Sequence, residues 1–175
     1  MHVLILGAGV VGVSSAYYLA RQGHDVTLVD RAADPAAGTS YANGGQLAYS
    51  FVDALAQPSL LSEIPGLLLG RDPAMHVQLF ARPSLVAWGL SFLGQCTQKR
   101  ARNNTLAVLD LAQRSAKCLA DLRQSTGIQF AHQRVGKVML LPAGSNLAAA
   151  EESIELKRAH GCDSSLLSID NVRER

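Results

Sequence analysis

Charge is in short supply in this chain. Its 175 residues hold 16 Lys and Arg and 14 Asp and Glu, 17% in all, against about 25% in ordinary soluble domains. A disordered chain needs high charge and little apolar surface to resist collapse, and with 48% hydrophobic residues that class is excluded. Basic residues give no useful excess: the net charge is +2, without the clustered Arg, Lys and aromatic residues of a nucleic-acid surface. Aromatics are few, with four Phe, four Tyr and one Trp. Three cysteines, Cys96, Cys118 and Cys162, are too few and too far apart for a disulfide framework or a zinc site. Cys118 falls in a helical apolar pattern and reads as a buried, inert thiol. No metal site is expected, and a reducing, cytoplasmic setting follows.

Long hydrophobic runs are also missing. Met1 to Ala20 carries no Lys, Arg, Asp or Glu, but Gly7, Gly9 and Gly12 break it. A secretory signal wants a basic start and an unbroken apolar stretch, and a membrane helix wants about 20 apolar residues. Neither is read here. Gly and Pro are neither periodic nor dominant, which excludes collagen-like and low-complexity chains.

What is present is a strand–turn–helix–strand pattern. His2 to Leu6 is a short aliphatic run suited to a buried parallel strand. Gly7-Ala8-Gly9-Val10-Val11-Gly12 follows at once. Val13 to Gln22 reads as a helix with Val10, Val13, Ala16, Tyr17 and Ala20 on one face, stopped by Gly23. Asp25 to Asp30 is a second β-branched run closed by an acid. The whole is a βαβ unit of about 30 residues. The three glycines do different things. The first allows the tight turn, the second lets backbone approach a diphosphate, and the third lets helix and strand pack closely. A phosphate placed there meets unpaired amides and the positive end of the helix dipole. Asp30, 18 residues after Gly12, stands where a carboxylate accepts from ribose hydroxyls. The pattern predicts dinucleotide binding without saying which dinucleotide. Arg31 could pair with the 2′-phosphate of NADP, although a solvated arginine at a strand end is the simpler reading.

The rest is less regular. Thr39-Ser40-Tyr41-Ala42-Asn43-Gly44-Gly45-Gln46 offers hydroxyls, an amide and bare backbone, which suits either a phosphate-wrapping loop or a plain surface loop. Residues 51–75 read as irregular, broken by Pro58, Pro65 and Pro73, with greasy patches at Leu60-Leu61 and Leu67-Leu68-Leu69. A short apolar helix is expected around Trp88 and Phe92. The longest helix is expected over 99–126, with Leu106, Leu109, Ala112, Ala116, Leu119 and Leu122 on one stripe and Gly127 as its stop. Ile128 to His132 and Lys137 to Leu141 read as an antiparallel strand pair, and 145–160 as a final helix. No Ser-His-Asp or paired-carboxylate arrangement suggests a hydrolase. His24, His76, His132 and His160 are scattered. Arg82 and Arg134 could pair with a carboxylate substrate but read better as solvated.

Three segments together carry a resemblance: Val-Leu-Ile-Leu-Gly-Ala-Gly-Val-Val-Gly at the start, Tyr18 through Arg31, and Thr39 through Gln46. They resemble the opening of the D-amino acid dehydrogenase small-subunit family, within the D-amino acid oxidase-like FAD oxidoreductases. Further similarity runs through Arg82-Pro83-Ser84-Leu85 with Trp88, Arg114 to Leu122, and Thr126-Gly127-Ile128. The resemblance implies that FAD is the cofactor. It places Val3, Leu4, Ile5, Leu6, Gly7, Ala8, Gly9, Val10, Val11, Gly12 and Val13 in the binding segment, with the three glycines at the pyrophosphate. Asp30 falls at the adenosine ribose, Arg31 belongs to the same cofactor-binding set, and Ser40, Asn43, Gly44 and Gly45 lie along the phosphates towards the flavin. Ala42-Asn43-Gly44-Gly45 stands where the family tends to have Ala-Asn-Ala-Gly.

The implied activity is hydride transfer from a small D-amino acid to flavin, then hydrolysis of the imino acid to a 2-oxo acid and ammonia. Electrons would pass to a respiratory acceptor, and peripheral contact with the inner face of the bacterial membrane is implied as well. Family members are more than twice this length, so the expectation is an N-terminal portion with an incomplete fold. Residues 1–50 would begin a Rossmann-like FAD domain of α/β class, and 51–175 would form part of an α+β substrate or cap domain. Two other readings stay open: an NAD(P)-dependent dehydrogenase, and a catalytically incomplete fragment or subunit that needs a partner chain.

Overall fold

The computed structural model describes residues 1–70, 83–142, 144–168 and 171–172. In order, the elements are β1 (His2–Leu6), α1 (Val10–Arg21), β2 (Asp25–Val29), α2 (Leu60–Leu68), α3 (Pro83–Leu93), α4 (Gln98–Thr126) and α5 (Leu147–Arg158). The protein is α/β, and its contacts divide it into two units, Met1–Leu47 and Ala48–Arg175.

The first unit is the expected βαβ. β1 and β2 pair in parallel from His2 opposite Asp25 to Leu6 opposite Val29. Gly7 N–H extends the ladder by donating to the Val29 carbonyl at 2.7 Å. Alternation along both strands half-buries Val3, Ile5, Val26 and Leu28, while Leu4, Leu6 and Val29 stay exposed. Because successive side chains point to opposite faces, one face of this sheet is covered and the other is open.

The helix face differs from the expected stripe. Val10 and Val13 are exposed, as is Ala20, and the half-buried positions are Gly12, Ala16, Tyr17, Tyr18 and Leu19. The cause is steric. A Cβ at Gly12 would collide with the Gly7 carbonyl and touch Leu28 Cδ1 at 3.5 Å, so α1 meets the strands through its bare position. Once Gly12 faces the sheet, residues one and two turns later follow it, and Val10 and Val13 rotate outwards.

The second unit is organised by α4, which runs over 29 residues. Thr97 caps its start by accepting from Arg100 N–H. Gly127 ends it at φ 65°, a left-handed conformation that side chains resist. Ala101, Thr105 and Leu109 are its buried positions, and Leu109, 1% exposed, is the one large side chain fully enclosed among the described residues. The stripe of Leu106, Ala112, Ala116, Leu119 and Leu122 is half-buried, as its spacing predicts. Two polar ties hold the segment around residue 54 within this unit. Thr105 Oγ1 accepts from Ala54 N–H at 2.9 Å, and Lys157 Nζ donates to Asp53 Oδ2 at 2.8 Å.

Three expectations need correction. The irregular stretch 51–75 contains α2, with Pro65 inside it. In so short a helix the missing proline N–H removes one hydrogen bond only, and Leu69 N–H still donates to the Pro65 carbonyl. Pro73, His76 and Arg82 lie outside the described residues. The strand pair at 128–132 and 137–141 does not form, and both segments are without ladder hydrogen bonds. A lone two-stranded hairpin is marginal without a further strand or a packed face, and Ile128, Val138 and Leu140 are exposed. Phe130 instead packs edge-on to His132 and under Arg123. Finally, Cys118 is exposed and Cys96 is the buried thiol.

Burial ranks the interactions of this second unit. Leu109→Ala removes its most enclosed side chain and is expected to cost about 3 kcal/mol. Asp53→Ala strands the Lys157 ammonium, whose side chain is 10% exposed; with Asp53 itself 34% exposed, the loss should be about 2 kcal/mol, short of a fully buried pair. Arg114→Ala breaks an ion pair with Asp110 whose partners are 74% and 63% exposed, and should change stability by less than about 0.5 kcal/mol. Urea unfolding of the three variants checks the order.

Candidate functional site

The site grows from the end of β1. Gly7 has φ 105°, a value that L side chains avoid, and this reverses the chain directly into α1. Gly9 precedes the helix with no side-chain cap of its own. A Cβ at Gly9 would stand 3.2 Å from Ser40 Oγ, so the bare backbone keeps a cradle that a side chain would fill. Ala8 between the two glycines is buried.

Two side chains from distant positions reach this turn. Asp30 Oδ2 accepts from Ala8 N–H at 2.7 Å, and Oδ1 accepts from Ala32 N–H at 2.8 Å. Ser40 Oγ accepts from Val10 N–H at 3.0 Å, which leaves the hydroxyl hydrogen to be donated elsewhere. Hydrogen bonds to its charged form hold the Asp30 carboxyl below its ordinary value of 3.8, the Ala32 amide first and the Ala8 amide next, with a smaller contribution from the Arg31 charge.

A groove of about 780 Å³ opens beside the helix start. Of the residues expected at a cofactor, Gly9, Val10, Val13, Ser40, Asn43, Gly44 and Gly45 line it. Val3, Leu4, Ile5 and Leu6 form β1, Gly7 and Ala8 the turn, and Val11 and Gly12 the first turn of α1; these shape the groove without lining it. Asp30 sits beneath the turn through its Ala8 bond. Arg31 is exposed, in keeping with the solvated reading. Asn43 holds its own loop: Nδ2 donates to the Ser40 carbonyl at 3.0 Å and Oδ1 accepts from Gly45 N–H at 2.7 Å.

Sequence reasoning misses Ser14, Pro35, Ala36 and Leu47, which also line the groove. Ser14 has a signal, since it lies four residues after Val10 on the same helix face. Ala36 has none. It adopts φ 60° although it is not glycine, and its N–H donates to the Ala8 carbonyl at 2.8 Å. Among the described residues no cluster of three His, Cys, Asp or Glu side chains could hold a metal ion, and no helix is long and apolar enough to cross a membrane.

These features define an α/β protein whose glycine-rich strand-to-helix turn fronts an open groove. The profile of the DAO family, described as FAD dependent oxidoreductase, matches residues 2–175, and the chain belongs to that family. It is 40% identical over 176 residues to D-amino acid dehydrogenase 2 of Ralstonia nicotianae, covering 100% of this chain and 41% of the relative. It is 39% identical to the D-amino acid dehydrogenase of Dechloromonas aromatica, covering 99% of this chain and 42% of that protein. The Paramagnetospirillum magneticum D-amino acid dehydrogenase is 40% identical over 163 residues, covering 92% of this chain and 38% of that protein. The chain therefore spans about two fifths of the length of these relatives. No solved structure matches it significantly.

The family's cofactor is FAD, which sets aside the nicotinamide alternative. The residues present suit such a group. Bare backbone at Gly9 borders the groove, the N-terminal end of α1 is free of acidic side chains in its first turn, and Asp30 has carboxylate lone pairs beyond the two in use.

Asp30 also gives the turn a pH dependence with a definite sign. Its carboxyl is held below 3.8 in the folded chain, so its stabilisation is fully present above the unfolded value and lost as pH falls through the lower folded value. The stability contributed by Asp30 should be flat from neutral pH down to about 5 and decline below about 4. Asp30→Asn should flatten that part of the acid limb, as measured by the pH dependence of Ala8 amide protection; an unchanged acid limb in the variant would assign it to other carboxyls.

Proposed function

We propose that this chain is the FAD-gripping N-terminal part of a dehydrogenase that oxidatively deaminates D-amino acids to 2-oxo acids and ammonia, with electrons passing to a respiratory acceptor. The observation that carries this reading is the bare turn at Gly7–Gly12, tied to the acid that closes the next strand. The names of the relatives supply the substrate class. On this reading residues 1–50 begin a Rossmann-like FAD-binding domain, and 51–175 form part of a substrate or cap domain.

The roles follow from the chemistry of each group. Backbone amides at the turn and the positive end of α1 receive the diphosphate. The Ser40 hydroxyl donates its free hydrogen to a phosphate oxygen, and Asp30 accepts from the adenosine ribose. Gly44 and Gly45 present backbone without side chains to the ring system. Bound FAD would supply the acceptor for the hydride that leaves the substrate α-carbon. Contact with the inner face of the bacterial membrane belongs to the same reading; the exposed Leu61, Leu68 and Leu69 around α2 are its surface.

The test is a flavin spectrum of the purified chain, which should show absorption at about 450 nm. Gly9→Val should abolish FAD retention, because the new side chain would enter the space between Gly9 and Ser40. Unchanged flavin content in that variant would contradict the placement of the site.

A further inference from the structure

We infer that Asp30 is a positioning residue for the diphosphate site, fixing the glycine turn so that the amides of Gly9, Val11 and Gly12 are the ones left to the ligand. This rests on the dinucleotide reading above and adds a role separate from any ribose contact.

Five backbone amides, from Ala8 to Gly12, crowd the start of α1. Two are taken within the protein: Ala8 N–H by Asp30 Oδ2 and Val10 N–H by Ser40 Oγ. Those of Gly9, Val11 and Gly12 have no protein acceptor among the described residues, since the helical bonds begin with Val13 N–H donating to the Gly9 carbonyl. Two bonded amides therefore stand among three open donors. This divides the turn into amides that hold it and amides that it presents.

The turn needs holding. Ala8 is flanked by Gly7 and Gly9, and two glycines around one residue give the free chain many conformations to lose. Ala8 is pinned at both ends, its N–H by Asp30 and its carbonyl by Ala36 N–H. Asp30 is itself oriented by its second oxygen on Ala32 N–H, so the carboxylate cannot swing away without breaking a further bond. A charge-assisted bond to a backbone amide is about twice as strong as a neutral one, and here it joins the end of β2 to the point where β1 turns into α1. Order set in advance is order the ligand does not have to impose.

Inorganic pyrophosphate separates this role from ribose binding, because it carries the diphosphate and no sugar. It also sets two effects against each other. Removing the Asp30 charge should tighten binding of an anion by Coulomb's law, whereas loosening the turn should weaken it. The experiment compares the full chain as wild type, Asp30→Asn and Asp30→Ala, with helical circular dichroism as the check on folding.

In the ligand-free chain, Ala8 amide exchange should speed up by about tenfold in Asp30→Ala, with a smaller rise in Asp30→Asn, which keeps one acceptor oxygen. Pyrophosphate should bind about tenfold more weakly to Asp30→Ala than to wild type. Unchanged Ala8 exchange, or pyrophosphate affinity equal to or tighter than wild type in both variants, would overturn the positioning role while leaving the dinucleotide site standing. A wild-type chain that binds neither pyrophosphate nor FAD would overturn both.

Discussion

Helix α1 begins almost in contact with the strand that precedes it. Gly12 lies so close to the Gly7 carbonyl that no side chain fits between them, and the rest of the first unit is built on that approach. It sets the rotation of α1 about its axis, so that Ala16 and Leu19 turn towards the sheet while Val10 and Val13 turn away. It brings the helix start against the end of β1, where the Asp30 carboxylate at the end of β2 can reach the Ala8 amide. The groove opens on the side that the outward valines leave. Van der Waals exclusion at one glycine thus sets packing, electrostatics and access together.

The βαβ unit is legible in the sequence because its signals are local. Aliphatic runs, glycine spacing and a closing acid all act within a few residues of where they stand, and β1, α1 and β2 fall close to their expected bounds. The long helix is legible for the same reason: an unbroken apolar period and a Gly stop agree with one another. The rotation of α1 is not legible. Apolar spacing alone favours Val10 and Val13 as packing residues, and the steric demand at Gly12 overrides it. Glycine spacing announces a close approach of helix and strand, but not how that approach turns the neighbouring faces.

Other differences come from interactions between distant residues. A proline can stand in a short helix where it removes a single bond, so Pro65 marks no boundary. The apolar residues of 128–132 and 137–141 describe surface that a sheet could use, but the described part of this chain supplies no further strand for it. In the site, Ser40, Asn43, Gly44 and Gly45 stand out by loop composition, whereas Ala36 carries no such mark and enters through a backbone bond to Ala8. The two-way engagement of Asp30 is equally hidden, since a carboxylate at a strand end has the same one-letter code whether it faces a sugar or an amide.

The central claim is that open amides at the start of α1 form the diphosphate site, and an amide-resolved ¹H–¹⁵N titration of the chain with ADP tests it most directly. The account predicts the largest shifts at Gly9, Val11 and Gly12, with little change along α4. Largest shifts in the second unit, with residues 7–12 unmoved, would contradict it.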